Sequence, residues 1–139
     1  MDTVERQVTL PAAAEEVWTL LTEPTELASW LGAEVRLEPV TGAAGHLVEH
    51  DGTRRSLVID EVDPGRRLSW HWWPEDEPAA SPSHVEITLL PDDRGTTVRV
   101  VERLPSSEPI QARIGRADAW AHRLLHLEAL LLVAAAVRG

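Results

Sequence analysis

At 139 residues, 43% hydrophobic and 26% charged, the chain reads as one ordinary globular domain over 1–139, long enough to bury a real core. A formal net charge of −10 opposes both a nucleic-acid phosphate backbone and an anionic membrane surface, so neither is expected as a partner. The absence of Cys excludes disulfides, thiolate metal sites and a cysteine nucleophile, and agrees with a cytoplasmic location.

All 13 basic residues are Arg, and Lys, Asn, Phe and Tyr are missing. The four missing types share A/T-rich codons, so the bias reads as a G+C-rich bacterial genome and argues against giving each Arg a role. The six Trp are then the only aromatic bulk besides His, and their positions carry extra weight. The N-terminal MDTVERQVTL alternates where a signal segment would be basic and then apolar, and the longest apolar run, Ala129 to Val137, is too short to span a bilayer.

In chain order, Thr3 to Leu10 alternates as a first strand, which Pro11 ends. Ala13 to Thr22 reads as a helix with Val17, Leu20 and Leu21 as its stripe and Glu15 and Glu16 in the first turn, where the helix dipole favours anions. A second short helix follows, capped by Thr22, with Pro24 in its first turn, Leu27, Trp30 and Leu31 on its apolar edge, and Gly32 closing it. Six strand-like runs come next: Ala33 to Glu38, Gly45 to His50, Ser56 to Val62, Arg67 to Trp73, His84 to Leu90 and Thr96 to Arg103. Asp51-Gly52, Asp63-Pro64-Gly65 and Asp93-Arg94-Gly95 supply turns, and the Pro- and acid-rich stretch Pro74 to Pro82 reads as an exposed, mobile loop. Leu104 to Pro109 breaks the pattern. From about Gln111 the chain is helical, with Trp120, Leu124, Leu127 and Leu131 in one narrow stripe. This plan predicts a cupped sheet folded around a long closing helix.

PAAAEEVWTLLTEPTELASWLGAEV resembles the opening of bacterial START-like proteins, the polyketide cyclase/dehydrase (SRPBCC) superfamily. Within it, LVIDEVDPGRRLSWHW, with Glu61, Val62, Pro64, Leu68 and Trp72, resembles the branch named for the activator of the heat-shock protein 90 ATPase, as do VEITLLPDDRGTTVRVVE and Trp120. The resemblance covers essentially the whole chain. It implies an α+β helix-grip fold: a seven-stranded antiparallel sheet wrapped around a long C-terminal helix, two short helices after the first strand, and an apolar cavity between sheet and helix. It implies no shared catalytic residue. Two features depart from the branch: Ala44-Gly45-His46-Leu47 stands where Gly-Gly-aromatic is common, and the long helix is unusually apolar.

The expected ligand-binding residues are Trp30, Leu47, Leu68, Trp70, Trp72, Val100, Trp120, Leu124 and Leu127, which can equally be plain core. Glu102 continues the inward register of Val98 and Val100, where a desolvated carboxyl could act as acid or base; a strand-end Glu paired with Arg103, Arg99 or solvent is the reading favoured over it. Glu49 shares parity with Leu47 and is the second weak candidate for catalysis. His71 falls on the outer face. His122 and His126 have a metal-like i, i+4 spacing, but no Glu follows His122 and no third ligand is evident, so no metal and no cofactor is expected. Leu125, Leu132, Val133 and Ala136 lie off the Trp120 stripe, which predicts a homodimer through this helix or cover from the N-terminal helices. Binding of a small apolar or aromatic ligand is the expected function, a cyclase/dehydratase-type enzyme or a chaperone-partner module the alternatives.

Overall fold

The structure, a computed structural model, describes residues 3–77, 81–105 and 109–138, with side chains omitted from 135 onward. Its elements are β1 (Thr3–Leu10), α1 (Ala14–Thr22), α2 (Pro24–Trp30), β2 (Glu34–Arg36), β3 (Ala44–Val48), β4 (Arg54–Asp63), β5 (Arg67–Pro74), β6 (Ser83–Asp92), β7 (Gly95–Arg103) and α3 (Ile110–Arg138). The strands form one seven-stranded antiparallel sheet in the order β1-β7-β6-β5-β4-β3-β2. This is the helix-grip arrangement that the family resemblance implies.

Alternation decides which face is core. Along β7, Thr96, Val98, Val100 and Glu102 are buried; along β6, Ser83, Val85, Ile87 and Leu89; along β5, Leu68, Trp70 and Trp72. Against that face α3 buries Trp120, Leu124, Leu127 and Leu131, the predicted stripe. The helices α1 and α2 close one end with Val17, Leu20, Leu21, Leu27, Trp30 and Leu31.

Three local features differ from the expectation. The strand predicted over Ala33 to Glu38 is only Glu34–Arg36, because Pro39 has no N–H for the ladder and the chain turns there, Val40 N–H donating to Glu38 O at 2.8 Å. Thr22 does not cap α2: its hydroxyl donates back to Trp18 O at 2.8 Å, and Glu23 holds the cap position with Pro24 as the first helical residue. The third is a register shift between Ile59 and Glu61 that bends β4 and leaves Asp60 on the outer face, beside His71 at 2.8 Å and His84 at 3.5 Å. The predicted loop Pro74 to Pro82 and the break at Leu104 to Pro109 fall partly outside the described residues.

Close approach requires glycine at positions that include Gly95 and Gly32. A Cβ on Gly95, whose φ is 140°, would stand 2.0 Å from Leu10 O, where the end of β1 crosses the β6–β7 turn. One on Gly32 would meet Val48 O at 2.7 Å, where the chain leaves α2 and runs onto β3.

Among the described residues no helix is long and apolar enough to cross a membrane. The opposite side of α3 leaves Ile114, Leu125, Leu132 and Val133 exposed, each by more than half, so the N-terminal helices do not cover it. Ala136 lies among the residues whose side chains are not described.

Because Trp120 is fully buried at the centre of this packing, Trp120→Ala should cost about 3–5 kcal/mol in denaturant unfolding. A loss under about 1 kcal/mol would mean that α3 does not pack through this stripe.

Candidate functional site

Where α3 crosses β5 and β7, three indoles meet. Trp72 and Trp120 are stacked with centroids 5.9 Å apart, and Trp70 stands against them at 5.7 and 6.3 Å. A buried indole needs an acceptor for its N–H. Glu102 supplies two: Trp72 Nε1 donates to Oε2 and Trp120 Nε1 to Oε1, both at 2.8 Å. Glu102 is 0% exposed, so the strand-end reading, with Arg or solvent as partner, does not hold. Burial pushes its carboxyl above the usual carboxylate range; the two indole donors and the charges of Arg55 and Arg123 oppose that rise.

A second layer covers the stacked indoles. Glu49, just past the end of β3, is buried and accepts from three guanidinium groups: Arg55 Nε at 2.9 Å on Oε2, and Arg116 Nη1 at 3.3 Å and Arg123 Nη2 at 2.5 Å on Oε1. Arg123 Nε also donates to Leu31 O at 2.8 Å, which ties α3 to the end of α2. The same guanidiniums lie on the ring faces: Arg123 is 4.6 Å from the Trp120 centroid and 5.3 Å from that of Trp72, and Arg55 is 5.0 Å from Trp72. The cluster therefore runs Glu102, indoles, guanidiniums, Glu49.

Outside it is an open groove of about 390 Å³ between the β3–β4 turn (Glu49, His50, Asp51) and α3 (Gly115, Ala119, His122, Arg123). His50 packs edge-on against His126 at 5.1 Å, and His126 against His122 at 5.8 Å. Partial burial lowers the pKa of His50, as do His126, Arg123 and His122; Glu49 opposes them. Among the described residues no group of three or more His, Asp or Glu could hold a metal ion. A larger hollow, about 510 Å³, lies on the far side of the same turn, lined by Gly52, Thr53, Arg54, Glu75 and Asp76. None of those residues is buried, so it offers only solvated surface groups.

The predicted ligand-binding residues are all in the core: Trp30, Trp70, Trp72 and Trp120 at 0%, Leu47, Leu68, Val100 and Leu127 at 0–1%, Leu124 at 4%. Trp70, Trp72 and Trp120 come together; none of the nine lines the groove. Of the two carboxylates, Glu102 lies behind the indoles and Glu49 at the groove. Sequence reasoning missed Arg55, Arg116 and Arg123. The signal was there: Arg55 shares parity with Leu57 and Ile59 on β4, and Arg123 sits between Trp120 and Leu127 on the inward stripe.

Residues 11–132 match the family described as "Activator of Hsp90 ATPase homolog 1-like protein". No curated protein matches the chain. Among solved structures, DynU16, a protein of the dynemicin biosynthetic locus, shares 27% identity over 94% of this chain at a TM-score of 0.84. The chain spans about half, 47%, of the length of DynU16. Protein MLL2253 from Mesorhizobium loti shares 25% identity, with 93% of this chain and 96% of that one covered, at a TM-score of 0.83. CalU16 from Micromonospora echinospora shares 24%, with 93% and 74% covered, at 0.72, and at that identity supports the fold.

Glu102→Gln leaves one indole N–H facing an amide NH₂ and should cost about 1–3 kcal/mol at neutral pH. The pH dependence follows from the raised folded value: the folded state holds its proton longer than the unfolded one, so the contribution of Glu102 is full below the unfolded value and falls as pH rises through the folded one. Subtracting the stability–pH curve of Glu102→Gln from that of wild type should recover this fall. A difference that grows with pH there would show a lowered value instead.

Proposed function

The chain belongs to the Activator of Hsp90 ATPase homolog 1-like family, a branch of the START-like superfamily, and from that membership we propose that it binds a small apolar or aromatic molecule between its sheet and its C-terminal helix. The observation that carries this reading is the groove between the β3–β4 turn and α3, which opens against Arg123 and, beneath that guanidinium, the stacked Trp72 and Trp120. Its volume, about 390 Å³, falls in the range of small-molecule sites.

Binding is favoured over a cyclase- or dehydratase-type reaction because of how the carboxylates are used. A general base must come within reach of the proton it takes, and Glu102 is 0% exposed behind the indoles. Both oxygens of Glu102 accept from indoles and both oxygens of Glu49 accept from guanidiniums. The test is titration of the protein with naphthylethanol, followed by the indole N–H resonances. Trp72 and Trp120 should shift more than Trp73, which stands on the opposite sheet face. No shift, or the largest at Trp73, would overturn the reading.

The exposed side of α3 favours a second role for that helix. Ile114, Leu125, Leu132 and Val133 would be covered in a homodimer. Leu132→Glu should then yield monomer in sedimentation at about 100 micromolar, where wild type runs as dimer. Wild type sedimenting as monomer would exclude it.

A further inference from the structure

The cluster beneath the groove holds more cation than anion. Three guanidinium groups share Glu49, and the other buried carboxylate, Glu102, is committed to two indole N–H groups. Arg123 is 2% exposed and lines the groove, yet its Nη1 has no hydrogen-bond partner among the described residues. A buried guanidinium N–H without an acceptor is costly, and few groups satisfy it as well as a carboxylate.

Other charges face the same space. Asp51 and Asp118 line it but are exposed, and Asp51 already accepts the Thr53 N–H at 2.9 Å. Solvent screens such rim charges far more than buried ones. His50 and His122 add hydrogen-bonding nitrogens and no negative charge. Beyond Arg123, Gly115 has open space where a side chain would stand and Ala119 presents only a methyl. That leaves room for an apolar body beside a cationic end.

We propose that the groove takes an organic carboxylate, its anionic head on Arg123 and its apolar body along Gly115 and Ala119. This rests on the reading that the groove is the ligand site. Recognition is then two-part: the unpartnered Arg123 Nη1, in a cluster of three guanidiniums and two carboxylates, selects the head, and the small residues of α3 admit the body.

The test is calorimetric titration of the full chain at neutral pH and low salt with three probes of one apolar body: naphthylacetate, naphthylethanol and naphthylethylamine. The carboxylate should bind about tenfold or more tighter than the alcohol, and the amine weakest. Arg123→Gln should erase the preference. Since that variant can fail to fold, Arg116→Gln serves as the second: its side chain is 14% exposed, and it should weaken the carboxylate about threefold while leaving the alcohol unchanged. Equal binding of all three probes, or tightest binding of the amine, overturns the carboxylate assignment and leaves the groove as a ligand site. No binding of any probe up to about 5 mM overturns both.

Discussion

Two indole N–H groups, one on a strand and one on the long helix, meet in a space from which water is excluded. Each needs an acceptor, and a single carboxylate on a third element provides both. Glu102 thereby joins β5, β7 and α3 at one point. Moving α3 along or around its axis breaks a 2.8 Å bond and leaves a buried donor unsatisfied. The hydrophobic effect by itself is non-directional and sets no such atom-to-atom requirement. The carboxylate gives the helix a defined position, and everything that α3 presents to the groove depends on it.

The second carboxylate acts on the other side of the same indoles. Glu49 draws in Arg55 from β4 and Arg116 and Arg123 from α3, so the turn after β3 is held to the helix by charge. Buried ion pairs are weak evidence for stability, because desolvation offsets much of the attraction. Their consequence here is geometric. They floor the space between turn and helix with guanidiniums and keep it from collapsing onto the indoles. Trp70, Trp72 and Trp120 pack together on the inner side of the charged layer, and the groove lies on its outer side.

How far this could be read in advance differs by residue. The strand faces follow from alternation, and the helix stripe Trp120–Leu124–Leu127–Leu131 from a 3.6-residue period, because each needs only local geometry. Glu102 carried the right signal in its register with Val98 and Val100; its burial looked costly until its acceptor role for two distant indoles was visible. The arginines were hidden by composition. With Arg at every Lys/Arg position, a codon-level explanation covers all 13 and masks the inward parity of Arg55 and of Arg123. Neither the shortness of β2 nor the bulge at Asp60 was legible: Ala33 to Glu38 alternates throughout, and a register shift belongs to a pair of strands.

Periodicity, turn residues and the two long apolar patterns by themselves determined the element order, the sheet face that is core and the helix stripe that meets it. They did so because a strand or helix commits its faces within a few residues of its own chain. The pairing of Glu102 with Trp72 and Trp120, residues 30 and 18 positions away, and the gathering of Arg55, Arg116 and Arg123 on Glu49 were decided only by the tertiary structure. A hydrogen bond or an ion pair needs two specific atoms at one place, and that coincidence exists only after the sheet has curved and the helix has docked.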